Sequence, residues 1–239
     1  MQLSLVIPCY NEGEGLPKLV SRCQEVIEKI DGEIILVNNG STDNTSELLQ
    51  TLTSETPRIR IVDVEVNQGY GFGILSGLQA AKGDIIGWTH ADMQTDPMDV
   101  IEGLKLFEKD DHPEQLFVKG RRYGRPLSDR VFTMGMSVFE ILLLGHFLSD
   151  VNAQPTLFSR KFWDTLSNPP HDFSIDLFAY ASAKKQKLRV RKFPVNFAVR
   201  EHGESSWNIN WAGKYKFIKR TLDYSFRLRQ SFSNNSSKS

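Results

Sequence analysis

Ser4-Leu-Val-Ile-Pro-Cys-Tyr-Asn-Glu12 begins as an apolar run and stops abruptly at a proline and a polar cluster. Short runs of this kind, rich in β-branched residues, read as buried strands. Outward from Leu3 to Ile7, the runs Ile34 to Val37, Ile59 to Val64 and Ile85 to Trp88 repeat the pattern, and segments of helical period separate them. This alternation predicts an α/β fold with a mostly parallel central sheet flanked by helices. The first helix is expected over Leu16 to Ile30, because Leu16, Leu19, Val20, Cys23, Val26, Ile27 and Ile30 fall on one side and Gly32 follows as a stop. Cys23 is thereby assigned to the core. Asn44 with Glu47 three residues on predicts a capping box for the second helix, and Asp96-Pro97 predicts the cap and first turn of the fourth. Both placements leave polar loops at the carboxyl ends of strands, the edge where open α/β sheets bind ligands.

After Gly120 the pattern changes. It predicts an apolar helix from about Ser128 to Leu148, a helix over Phe173 to Lys185, a basic strand over Leu188 to Phe193 and a final helix over Trp211 to Arg229. Neither a repeat nor a clear linker interrupts the chain, so residues 1–232 read as one domain, divided into halves at 1–119 and 120–232. Ser233 to Ser239 is low in complexity and is expected to be a disordered tail.

With 239 residues, the chain can bury a core without disulfides or structural metals. Its two cysteines, Cys9 and Cys23, show no paired metal spacing, and Met1 runs almost directly into the first strand without a leader pattern. A cytoplasmic location is the expectation. The formal net charge of zero hides an asymmetry, because residues 181–239 carry 14 Lys and Arg against Glu201, Glu204 and Asp223. Such a segment is either a solvated face or a surface for phosphates or an anionic membrane. Val131 to Leu148, the nearest approach to a membrane span of about 18 apolar residues, is broken by Gly135, Glu140, Gly145 and His146. Peripheral contact is expected rather than a crossing.

Three loops carry the chemistry. At the end of the first strand, Tyr10 is placed to cover a base and Asn11 or Glu12 to bond a ribose. Ile35-Leu-Val-Asn-Asn-Gly-Ser-Thr-Asp-Asn-Thr45 repeats that layout, and a turn with a cap explains Gly40 and Asn44 but not Asn38 and Asn39. In Trp88-Thr-His-Ala-Asp-Met-Gln94 an extended chain would turn His90, Asp92 and Gln94 to one face, where a divalent ion would meet a donor's diphosphate. His90 reads equally as a ligand or as a hydrogen-bonded histidine. Asn67-Gln-Gly-Tyr-Gly-Phe-Gly73 has neither the ending of a P-loop nor the dinucleotide fingerprint; its glycines instead let a helix approach its neighbours closely.

Taken together in order and spacing, these segments resemble family 2 of the GT-A glycosyltransferases, particularly the dolichol- and polyprenyl-phosphate sugar synthases. The resemblance runs from about Leu3 to Phe217. It implies that residues 1–119 hold a nucleotide-sugar donor and 120–232 the acceptor side, with a basic C-terminal helix. Pro8, Tyr10, Glu12, Asn39, Ser41, Asp92, Arg200 and Ser205 then match donor-binding positions, and Asp92 with Gln94, joined by His90, matches the metal-binding arm for Mn²⁺ or Mg²⁺. Gly120-Arg-Arg-Tyr123 resembles the family's G-S-R-Y, which places Arg122 on its arginine, and Arg130 falls at a second acceptor-phosphate arginine. Arg200-Glu-His-Gly-Glu-Ser-Ser206 resembles R-x-x-G-x-S-K, whose basic residues reach the diphosphate. Asp150-Val-Asn-Ala-Gln-Pro155 stands where related synthases carry an Asp-led acceptor loop.

The chain departs from the family at three places: Asn38-Asn39 replaces a pair of aspartates, His90 the first Asp of D-x-D, and Ser206 the closing Lys. An amide both donates and accepts, so uracil, guanine and cytosine all stay open as bases. An imidazole suits Mn²⁺ better than Mg²⁺. Asp172 reads as a helix cap, whereas Asp176 is a candidate catalytic residue, either as a base or, the favoured role, as an orienting carboxylate. The reading is therefore an inverting glycosyltransferase that moves a sugar from a nucleotide diphosphate to a polyprenyl phosphate at the cytoplasmic face of a membrane, with no nucleic-acid partner. A saccharide-hydroxyl acceptor and a degenerate nucleotide-sugar-binding protein are the alternatives.

Overall fold

The run that opens the sequence forms β1 (Leu3–Cys9), an interior strand of a seven-stranded sheet, seen in a computed structural model that describes residues 1–123, 148–198, 219 and 222–230. Around it come α1 (Leu16–Ile27), β2 (Gly32–Asn39), α2 (Thr45–Thr53), β3 (Ile59–Val64), α3 (Tyr70–Ala80), β4 (Ile85–Trp88) and α4 (Asp99–Glu108). The second part adds β5 (Leu116–Tyr123), β6 (Thr156–Ser159), the four-residue α5 (Arg160–Trp163), α6 (Ile175–Lys185) and β7 (Arg189–Asn196). The sheet order is β3-β2-β1-β4-β6-β5-β7. All neighbours run parallel except β6, which is antiparallel to both β4 and β5.

Alternation along β1 makes the core two-sided. Leu3, Leu5 and Ile7 join the buried face of α1 in one layer, while Val6 joins Ile35 and Val37 of β2 and Ile74 and Leu78 of α3 in the other. A Cβ on Gly77 would stand 2.3 Å from Val6 Cγ1, so the glycine lets α3 lie against the sheet as its sequence predicts. Gly69, at φ +114 next to the His171 carbonyl, lets the same helix begin against the 170–172 loop. Cys9 and Cys23 are both buried, and burial raises both thiols, so they behave as small apolar residues.

Some local expectations are corrected. Helix α1 ends at Ile27 rather than Ile30, β7 runs on to Asn196, and α6 begins at Ile175, two residues after Phe173. The Asn44 side chain makes no cap bond; Asp43 does that work, accepting from Thr45 N–H at 3.0 Å and from Gly13 N–H at 3.2 Å. A carboxylate one position earlier thus ties α2 to the β1 loop as well. Asp96 accepts from Met98 N–H at 2.9 Å but opens a turn, and α4 starts at Asp99. The expected helix from Ser128 to Leu148 and the segment from Trp211 to Ile218 lie outside the described residues, apart from Leu148 itself.

Candidate active site

Parallel pairing of β1, β2 and β4 brings their carboxyl ends to one edge, and the described ones among the expected donor residues, Pro8, Tyr10, Glu12, Asn39, Ser41 and Asp92, stand at or near the ends of those strands. Pro8 is still within β1, opposite Val37; Tyr10 follows it and is 46% exposed, open to a planar ligand. Asn11 adopts φ 52, a left-handed conformation that Asn tolerates. It spans the loops: its N–H donates to Ser41 Oγ at 3.1 Å and its Oδ1 accepts from Thr42 N–H at 2.8 Å. Glu12 N–H donates to Thr45 Oγ1 at 2.9 Å. Both polar loops are therefore one hydrogen-bonded unit, and Ser41 is part of its framework.

The two asparagines play different parts. Asn38 is structural: its Nδ2 donates to Asp63 Oδ1 at 2.9 Å and its Oδ1 accepts from Ser41 N–H at 3.2 Å. Asn39 is 3% exposed, and its Nδ2 donates to Gly69 O at 3.1 Å while its Oδ1 has no hydrogen-bond partner among the described residues. A backbone carbonyl can only accept, so it fixes which way the amide points. Asn39 accordingly offers an acceptor alone, the character an aspartate would have, without the charge.

Beyond β4 the extended reading of His90, Asp92 and Gln94 fails. The strand ends at Trp88, and Met93 at φ 56 folds the segment into a turn. Within it Asp92 Oδ1 accepts from Gln94 N–H at 3.1 Å. The next layer, Ala198, donates its N–H to Gln94 O at 2.9 Å and accepts from Gln94 Nε2 at 3.4 Å. That contact commits the amide nitrogen and leaves Gln94 Oε1 as an acceptor. His90 turns instead to Tyr70, whose Oη is 3.3 Å from its Nδ1, and Tyr70 stacks on Phe173 at 4.6 Å between centroids. Burial and the Asp176 and Asp92 carboxylates push the Tyr70 phenol well up, so it keeps its proton. With Nδ1 occupied, any metal contact by His90 falls to Nε2.

No group of three His, Cys, Asp or Glu side chains able to hold a metal occurs among the described residues. Asp92 and Gln94 supply hard oxygen donors, which suit Mg²⁺ or Mn²⁺ when a ligand's diphosphate and water complete the shell. The donor set fits an ion shared with substrate rather than a resident one.

The opposite side of the site is built from charge. Arg122, near the end of β5, lies over the Phe197 ring at 5.1 Å, with its Nε 3.9 Å from Asp150 Oδ1. Asp176, 2% exposed, accepts at Oδ1 from Trp88 Nε1 at 2.9 Å and from Gln154 Nε2 at 2.6 Å. Desolvation raises its pKa against the pull of Lys119 and His90. Lys119 is itself fully buried; desolvation lowers its pKa to about 7 although Asp176 opposes the shift. Lys119, Lys192 and Tyr70 are the neighbouring residues to which sequence reasoning gave no role, whereas Gln154 belongs to the acceptor loop expected at Asp150 to Pro155; Lys119, interrupting the apolar run Leu116 to Val118, was the one visible sign. Asp172 accepts from Ser174 N–H at 2.9 Å, which closes a turn ahead of α6; the helix cap expected of it falls instead to Ser174, which makes no side-chain cap bond. Arg130, Arg200 and Ser205 lie outside the described residues.

Known proteins share this chain's sequence pattern and fold. Residues 4–147 match the family described as Glycosyl transferase family 2. The undecaprenyl-phosphate 4-deoxy-4-formamido-L-arabinose transferase of Sodalis glossinidius is 38% identical over 214 residues, 87% of this chain and 63% of that protein. Its namesake from Salmonella choleraesuis is 30% identical over 219 residues, with the same two coverages of 87% and 63%. The chain thus spans less than two thirds of the length of these relatives. Among solved structures, glucosyl-3-phosphoglycerate synthase from Mycobacterium tuberculosis with phosphoglyceric acid superposes at TM-score 0.73 and 17% identity, covering 95% of this chain and 79% of that one. The same enzyme with Mn²⁺, UDP-glucose and phosphoglyceric acid gives TM-score 0.74 at 17% identity, covering 96% and 80%. At such identity the likeness establishes the GT-A fold.

Proposed function

Because the chain belongs to glycosyl transferase family 2, we propose that it is an inverting glycosyltransferase that moves a sugar from a nucleoside diphosphate donor to a polyprenyl phosphate. The observation that carries the acceptor is the state of Asp176. A sugar hydroxyl needs a carboxylate or imidazole within hydrogen-bond reach to take its proton. Asp176 is buried and already holds the Trp88 indole and the Gln154 amide, which suits a positioning role and not a base in contact with substrate. A phosphate monoester, with a second pKa of about 6, is largely dianionic at neutral pH and attacks without surrendering a proton. Arg122 fits such an acceptor, since its guanidinium is steered by Asp150 and Phe197 and offers a forked donor. The relatives named as undecaprenyl-phosphate transferases support the same class.

On the donor side, Tyr10 covers the base, Asn39 is assigned to the base pocket behind it, and Glu12 and Ser41 frame the sugar–nucleotide loop. Asp92 and Gln94, with His90 Nε2 in reserve, would hold Mn²⁺ or Mg²⁺, and a bound ion would supply positive charge opposite the leaving diphosphate. Arg200 and Ser205 are assigned to the same diphosphate and Arg130 to the acceptor phosphate. Residues 1–119 form the donor half and 120–232 the acceptor half. No helix among the described residues is long and apolar enough to cross a membrane; the reaction is assigned to the cytoplasmic membrane face, where the basic residues of the C-terminal segment meet anionic lipid.

The test is a kinetic split with purified protein, a panel of UDP-, GDP- and CDP-sugars with Mn²⁺ or Mg²⁺, and a short polyprenyl phosphate. Arg122→Ala and Arg130→Ala are expected to raise KM for the polyprenyl phosphate far more than for the donor, while Asp176→Asn keeps substantial turnover. A dead Asp176→Asn beside near-normal arginine variants would transfer the assignment to a hydroxyl acceptor.

A further inference from the structure

Two lysines from neighbouring strands grip one turn. Lys119 of β5 and Lys192 of β7 are register partners in a parallel pair, so their side chains leave the sheet together on the same face. Lys119 Nζ donates to Val151 O at 2.5 Å, and Lys192 Nζ donates to Ser149 O and Ser149 Oγ, each at 2.6 Å. Both ammonium groups lie over the Tyr180 ring of α6, at 5.0 and 5.2 Å from its centroid. The two gripped carbonyls flank Asp150.

Asp150 is the residue between them. It sits at φ 53, a left-handed turn conformation, and its own carbonyl is tied down by Ala153 N–H at 2.9 Å. Its carboxylate is the one paired with Arg122 at 3.9 Å, a separation at which the interaction steers rather than bonds. Arg122 lies three residues beyond Lys119 on the same strand, so strand, clamp, turn and guanidinium form a closed circuit. A methionine at 119 would fill much of the same volume without desolvating an amine. The amine is thus an expensive choice for packing alone, and what it adds is a hydrogen bond to a backbone carbonyl that the sheet does not satisfy.

We propose that Lys119 and Lys192 are positioning residues that hold the Ser149–Val151 turn, so that Asp150 sets the Arg122 guanidinium to receive the acceptor's phosphate. The proposal rests on the reading of Arg122 given above, whereas the clamp itself is a statement about the turn. Two readouts on the full chain separate them. Hydrogen exchange at the Val151 to Ala153 amides should accelerate in Lys192→Met and return toward wild type in Lys192→Arg, which restores a donor. In steady-state assays Lys192→Met should raise KM for a short polyprenyl phosphate by about tenfold or more, as displacement of a positioned group does, with KM for the nucleotide sugar unchanged and Lys192→Arg recovering part of the loss. Lys119→Met should reproduce both effects if it folds; Lys192→Met, at the less buried position, decides the matter if it does not.

Unchanged exchange in Lys192→Met would overturn the clamp, as would parallel rises in donor and acceptor KM with no rescue by arginine. If wild-type protein transfers no sugar to the polyprenyl phosphate, the acceptor assignment fails, and the exchange measurement still judges the clamp independently.

Discussion

The loops at the ends of β1 and β2 and the cluster between β5, β7 and α6 are both polar, yet they solve opposite problems. The first is held by small neutral groups and backbone amides: Asn11 to Ser41 and Thr42, Glu12 N–H to Thr45, Asn38 to Ser41. Its carboxylate Asp43 acts as a cap and lies below the usual carboxylate range because its hydrogen bonds together outweigh desolvation. The second buries Lys119 and Asp176 almost completely and half-buries Lys192. Neutral loops can open and close on a ligand at small electrostatic cost. Buried charges fix one geometry, because removing either partner strands the other in a medium that solvates it poorly.

The comparison is broken most directly at the donor edge. Asp92→Ala is expected to lower turnover by about 10³-fold or more, the scale of losing the principal electrostatic stabilisation of a leaving group, and to abolish metal-dependent nucleotide binding. His90→Ala should only alter the preference between Mn²⁺ and Mg²⁺. An active, metal-responsive Asp92→Ala protein would remove the site from this edge.

On the charged side the expected damage is to stability. Asp176→Ala leaves the Trp88 indole and the Gln154 amide without their acceptor and removes the carboxylate that opposes the desolvation of Lys119, so unfolding in denaturant should report a loss of about 3–5 kcal/mol. A loss below about 1 kcal/mol, in the range of a surface pair, would mean that the cluster is solvated and that the contrast between the two regions is false.

The same contrast predicts a pH dependence. Lys119 ionises near 7 in the folded chain but near 10.5 when unfolded, so between those values the unfolded state binds more protons and stability rises with pH. The stability of wild type relative to Lys119→Met should therefore rise between pH 7 and 9, by on the order of 1 kcal/mol per pH unit, and be constant below about pH 6. Comparing the two proteins cancels the cysteines and tyrosines that titrate in the same range. A pH-independent difference would show that Lys119 remains charged.

The smallest effect expected is on base choice. Gly69 O holds the Asn39 amide nitrogen, so Asn39→Asp sets a carboxylate oxygen against that carbonyl and gives the pocket a charged acceptor. The ranking of UDP, GDP and CDP by thermal shift should change by about tenfold, roughly 1.4 kcal/mol. Uniform weakening of all three would place Asn39 away from the base.

What could be read from the sequence follows the same division. Strands β3 and β4 stand where their apolar runs predict, and the loops after β1, β2 and β4 meet because each is contiguous and each parallel strand delivers its loop to one edge. Where a single backbone angle decides, the reading failed: Met93 at φ 56 turns Asp92 and Gln94 into a bend that no alternation pattern reveals. Cap competition was missed because Asp43 and Asn44 are both good cap formers, and only the tertiary bond to Gly13 selects the first. Lys119, Gln154, Asp176 and Lys192 come from four separate segments, so their meeting is a property of sheet order alone.

Strand β6 has a consequence for how such a chain is made. It enters between β4 and β5 with reversed direction, although about seventy residues separate it from β4. During synthesis, β1 to β4 can assemble as soon as they emerge, but β4 keeps an open edge and β5 has no neighbour until Thr156 to Ser159 arrive. Unpaired edges recruit other strands. The interval between completion of the loops after β1 and β2 and arrival of β6 is therefore when the nascent chain is most exposed to misassembly, and a four-residue strand closes it.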